Sequence, residues 1–109
     1  MTIGVLTFEL HLPDAGSLKG KRQIVRGIKD RLRSRHNVSV CELEEHANLW
    51  QRAELAVVAV AARRDALETL FESVVREVES RTPGHLLETG REFLEGADGG
   101  PSGWSQDFR

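Results

Sequence analysis

The chain has 109 residues, with 15 basic and 17 acidic side chains and a formal net charge of −2. That length suits one domain able to bury its own core, and 39% hydrophobic with 29% charged residues describes a globular chain rather than a disordered one. A lone cysteine, Cys41, excludes an internal disulfide framework and any zinc site needing two thiolates; no apolar run approaches the ~18 residues of a membrane span, and Met1-Thr2-Ile3-Gly4-Val5 lacks the marks of a signal peptide, so the expected location is the cytoplasm.

Residues 3–12 predict a strand. Leu6, Phe8, Leu10 and Leu12 alternate with Val5, Thr7, Glu9 and His11, the period of two that separates a core face from an open one. Pro13-Asp14-Ala15-Gly16-Ser17 breaks it. Residues 18–36 predict a helix whose apolar side holds Leu18, Val25, Ile28 and Leu32, with Ser17 as N-cap and Asn37 as stop. Gly20 and Gly27 weaken it by up to ~1 kcal/mol each relative to alanine.

Residues 38–45 predict a second strand, followed by a polar turn, and residues 50–62 a third, central in character from Leu55 to Val60. Residues 66–81 carry Leu67, Leu70, Phe71, Val74, Val75 and Val78 at helical spacing, with Asp65 and Glu68 placed as a capping box. Residues 85–94 supply a last strand. The glycine-rich remainder predicts a loose tail, so the domain is expected over residues 1–95 and the tail over 96–109. The order β-α-β-β-α-β belongs to the α+β class. Its expected solution is the ferredoxin-like one: a four-stranded antiparallel sheet, strands one and three central, with two helices on one face.

Charge is concentrated in the first helix. Residues 17–35 hold Lys19, Lys21, Arg22, Arg26, Lys29, Arg31, Arg33 and Arg35 against one acid, Asp30, so a local charge of +7 rides on a body of −9. Arg22, Arg26, Lys29 and Arg33 stand at i, i+4, i+7 and i+11 and form one stripe, with Lys19 near its start. Like charges at this spacing cost a few tenths of a kcal/mol per pair, and an external phosphate backbone would offset that cost. The plain alternative is a solvated face.

Ser17 and Gly20, at the start of this helix, are candidates to hold an anion on free backbone N–H groups, against an ordinary capped start. No P-loop is present: Gly16 and Gly20 are one residue too close, and Arg22 stands where a magnesium-binding Ser or Thr belongs.

The open sheet face is expected to carry Thr7, Glu9, His11, Arg52 and Glu54. Glu9, His11, Arg52 and Glu54 make either a cluster with acid–base potential or an exposed ion-pair network. Val58 and Val60 extend that face as an apolar strip suited to a homodimer or another partner. RNA binding by stacking on this sheet is disfavoured, because there is no Tyr and Phe8 points with the core set. Trp50 suits base stacking or a cover for the core. Cys41 reads as a small hydrophobe. Glu42, Glu44, Glu45 and His46 show no zinc-type spacing, so no metal and no cofactor is expected.

Gly4-Val5-Leu6, Leu12-Pro13, Ser17-Leu18-Lys19-Gly20-Lys21-Arg22, Asn37-Val38-Ser39-Val40 and Leu49-Trp50-Gln51-Arg52-Ala53 together resemble the bacterial YlxP-like family, a domain of unknown function, over about residues 1–95. The resemblance implies a ferredoxin-like fold. Genes of the family commonly lie among those for a translation initiation factor and a ribosome-binding factor, which implies a link to the ribosome or its RNA. It supplies no catalytic residues, and the glycine-rich C-terminal extension departs from it. Acylphosphatases share the fold, but the Leu12–Gly16 loop holds no arginine to match their phosphate loop.

The resulting expectation is a small non-enzymatic protein that contacts RNA or a ribosomal particle. Lys19, Lys21, Arg22, Arg26, Lys29 and Arg33 would meet phosphates, with Trp50 and Arg52 making shape or base contacts. The alternative is a protein-interaction or homodimerisation module that uses the open sheet face.

Overall fold

A computed structural model describes residues 1–96. The elements run β1 (Thr2–His11), α1 (Leu18–Arg35), β2 (Ser39–Glu42), β3 (Arg52–Ala61), α2 (Arg64–Arg81) and β4 (Leu86–Glu95), with a 3-10 turn at Glu44–His46 between β2 and β3. The sheet order is β2-β3-β1-β4, antiparallel throughout. This is the ferredoxin-like α+β fold that the element order implies. Of the tail expected over 96–109, residues 97–109 lie outside the described residues, and Gly96 donates its N–H to the Met1 carbonyl.

The two periodicities meet in one core. From β1, Leu6, Phe8 and Leu10 are fully buried; from α1 come Val25, Ile28 and Leu32, from β3 Leu55 and Val57, and from α2 Leu67, Phe71, Val74 and Val78. Both helices therefore cover the same sheet face, with α1 beside β2 and α2 across β1, β3 and β4. Gly4 lets α2 approach: a Cβ there would stand 2.8 Å from the Phe71 ring, which packs on Phe93 with centroids 5.9 Å apart. A register shift between Thr7 and Phe8 bulges β4, and Thr89 donates there to the Thr7 hydroxyl.

Three boundaries differ from expectation. α1 stops at Arg35, with His36 rather than Asn37 at its C-cap. β2 is only four residues, because the chain leaves the sheet at Leu43 and winds into the 3-10 turn. Asp65 does not cap α2. Arg63 takes the extended N-cap position and makes no side-chain cap bond, while Asp65 sits inside the first turn, where its charge suits the helix dipole, and binds Arg63 at 3.2 Å. Among the described residues no helix is long and apolar enough to cross a membrane.

Candidate nucleic-acid interface

Helix α1 lies on the sheet along the row Lys21, Val25, Ile28 and Leu32, all buried. The basic residues fall to either side of that row. On the side facing α2, Arg31, Arg35 and His36 converge on Glu77, with Arg31 Nε at 3.4 Å, Arg35 Nε at 3.6 Å and His36 Nε2 at 3.9 Å. On the other flank stand Lys19, Arg22, Arg26, Lys29 and Arg33. Arg33 binds Asp30 at 3.1 Å. Lys19, Arg22, Arg26 and Lys29 have no acidic partner within ion-pair distance among the described residues, and all but the half-buried Lys29 are exposed. Arg22, Val25, Arg26 and Lys29 line, with Glu42 of the edge strand, a shallow depression of about 120 Å³. Elsewhere, Arg91 grips Glu88 at 2.7 and 3.1 Å, and that hydrogen bond holds its guanidinium above the ordinary arginine value, whereas Arg76 meets only the Ser73 hydroxyl and Arg81 has no acidic partner among the described residues.

Lys21 requires a correction. It is 1% exposed and cannot reach a phosphate. Its ammonium donates toward the carbonyls of His46 (3.0 Å), Ala47 (3.1 Å), Leu49 (2.9 Å) and Arg52 (3.2 Å), with Glu42 Oε2 at 3.0 Å. The physical reason is its helical position. Lys21 begins the i, i+4, i+7, i+11 row that continues through the apolar residues, so its stem enters the core while its charge is satisfied by the β2–β3 connection. That spacing was the sequence signal that separates it from its neighbours.

At the start of α1 the Gly20 N–H is already taken by an oxygen of the protein itself. Ser17 Oγ accepts from the Gly20 N–H at 3.0 Å, and the Ala15 carbonyl lies so close to the Gly20 Cα that no Cβ fits. Ser17 and Gly20 thus form a tight capped start, with glycine demanded by the approach of the preceding loop.

Trp50 is 37% exposed on the connection that Lys21 holds. Arg52 is displaced from the helix cations. It stands on the open sheet face, where its Nε and Nη2 bind Glu9 Oε1, and α1 covers the opposite face. Glu54, cross-strand from Glu9, is brought next to two residues of the 3-10 turn: ligand atoms of Glu45, His46 and Glu54 all lie within 4.8 Å of one another. Sequence reasoning held Glu45 and His46 in one group and Glu54 in another; only the fold-back of the β2–β3 connection joins them. At the other end of this face, Val58 and Val60 are 38% and 58% exposed, cross-strand from Val5 and Ile3.

Comparison with known proteins gives two matches. The family model described as "Protein of unknown function (DUF503)" matches residues 3–91. A Bacillus subtilis (strain 168) protein described as "Uncharacterized protein YlxP" is 33% identical over 78 residues, covering 72% of this chain and 84% of the relative.

Proposed function

The chain belongs to the DUF503 family, and from its geometry we propose that it is a non-enzymatic cytoplasmic binding protein that takes the phosphate backbone of structured RNA, in a ribosomal or pre-ribosomal particle, on the outer flank of α1. One observation carries this reading: Lys19, Arg22, Arg26 and Lys29 form a row with no ion-pair partner among the described residues, while Arg31 and Arg35 on the other flank of the same helix share Glu77. At 1.5 Å rise per residue the row spans ~15 Å. Aligned cations on a rigid helix gain affinity by releasing counterions from a polyanion, without sequence selectivity. Trp50 would add stacking or shape contacts near the start of the row.

The test is cosedimentation with ribosomal subunits and their precursors across a salt series. Wild type and an Arg22→Glu/Arg26→Glu/Lys29→Glu variant are compared. Four phosphates neutralised predict a slope of log K against log salt of roughly −3. Salt-sensitive binding to one particle, lost in the folded variant, is the expected result. Binding by neither form at low salt sinks the reading.

A second reading is favoured by the exposed Val58 and Val60. An apolar strip on an uncovered sheet suits self-association or a protein partner, with the α1 cations merely solvated.

A further inference from the structure

We propose that Glu45, His46 and Glu54 form a binding site for a divalent first-row transition-metal ion, of which Zn²⁺ is the suitable probe. The three side chains offer one imidazole nitrogen and two carboxylate oxygens, all within 4.8 Å of one another. Ligands each about 2.0–2.2 Å from a shared zinc ion stand at separations within that range. A mixed nitrogen and oxygen donor set favours zinc and its neighbours over calcium or magnesium, which take oxygen ligands.

Three further observations support the assignment. First, the side chains of Glu45, His46 and Glu54 have no hydrogen-bond or ion-pair partner among the described residues, although His46 and Glu54 are half-buried. Two carboxylates held this close without a cation repel each other, and a dication removes that repulsion. Second, Arg52, two residues before Glu54 on β3, is already engaged by Glu9. Glu9, Glu45, Glu54 and Arg52 thus leave two negative charges, the complement of a divalent ion. Third, the donors are prepositioned. Glu54 sits on a central strand, and its carbonyl accepts from the Leu43 N–H at 2.7 Å. The backbone of the turn bearing His46 is pinned by the Lys21 ammonium on the His46 and Ala47 carbonyls. A preorganised donor set raises affinity because little ordering remains to be done on binding. Three protein ligands leave a further position for water or another small ligand.

The experiment is isothermal titration calorimetry of the full chain with Zn²⁺, accompanied by thermal unfolding with and without the ion. Wild type is expected to bind one equivalent and to unfold at a higher temperature in its presence. His46→Ala and Glu54→Gln should each weaken binding by roughly ten-fold or more, the lower end of what loss of even an outer-shell partner costs. Both side chains are outside the core, and far-UV circular dichroism with metal-free unfolding shows that the variants remain folded. His85→Ala and Cys41→Ser should bind as wild type does. Absence of saturable binding at millimolar Zn²⁺ overturns the site. So does binding that survives both His46→Ala and Glu54→Gln, or binding lost on changing Cys41 or His85.

Discussion

Lys21 brings a positive charge into a position that is 1% exposed, and that is tolerable only because its ammonium is surrounded by oxygens. Four backbone carbonyls and the Glu42 carboxylate meet one Nζ. The carbonyls belong to a segment that is otherwise irregular, so the lysine stands in for the partners a regular strand would provide. It also ties the first turn of α1 to the residues before β3. Removing it leaves a partly buried carboxylate and several carbonyls without their donor. Lys21→Met keeps the stem and deletes the charge. It is expected to cost ~3 kcal/mol or more, the scale for breaking a buried pair from one side, read by equilibrium urea unfolding. A loss under ~1 kcal/mol would mean that water replaces the ammonium readily. Composition alone groups Lys21 with its seven basic neighbours in residues 17–35; what distinguishes it is that Val25, Ile28 and Leu32 follow at core spacing. Gly20 teaches the converse. Helix propensity marks it as a weakness, whereas its absent Cβ is what the Ala15 carbonyl requires. No local rule reports a close approach from a neighbouring loop.

Across α1 as an element, the two flanks obey different constraints. Glu77 on α2 is only 13% exposed, and it gathers Arg31 and Arg35, so that flank contributes to packing the helices together. Lys19, Arg22, Arg26 and Lys29 on the other flank repel one another across helical turns. Arg22 and Arg26 are an i,i+4 pair, and Arg26 and Lys29 an i,i+3 pair; each like-charge pair costs a few tenths of a kcal/mol. A row retained for stability would not look like this. The Arg22→Glu/Arg26→Glu/Lys29→Glu variant keeps like charges at 22/26 and 26/29 but sets them against Lys19 and Arg33, so it is expected to unfold within ~0.5 kcal/mol of wild type in urea, while RNA-particle binding falls. A large loss of stability instead would show that the row stabilises the fold and would remove the functional argument from it. The stripe itself was legible as a period of 3.6 in charge. Which flank would be neutralised was not, since Glu77 lies far along the chain and only the packing of α2 on α1 brings it there. The N-terminus of α2 shows the same boundary between local and global: Asp65 and Glu68 have capping-box spacing, yet the helix begins two residues earlier because Arg63 takes the extended turn.

At the scale of the whole molecule, alternation in β1 and helical spacing in α1 and α2 were enough to set which face of the sheet would be covered, because burying both apolar stripes on one side leaves one topology with right-handed crossovers. They also implied that the other face stays open, and what covers it is decided by side chains rather than by topology. One end of that face is charged, with Glu9 bound to Arg52. The other end carries Val58 and Val60, paired across the sheet with Val5 and Ile3. Two copies related by a two-fold axis could lay these apolar ends against each other, since such an interface needs one self-complementary patch. The strip is narrow and the charged end limits its growth, so any dimer should be weak and dependent on concentration. Light scattering at high protein concentration is expected to detect such self-association, and Val58→Asp to abolish it by placing a carboxylate in the middle of the strip. The substitution falls on a residue 38% exposed, so the monomer should keep its stability to within ~1 kcal/mol. The α1 flank lies outside this face, and RNA-particle binding by Val58→Asp should match wild type. A wild type that stays monomeric at every concentration would dispose of the sheet-face dimer, and joint loss of self-association and particle binding would mean that α1 and the sheet act as one surface.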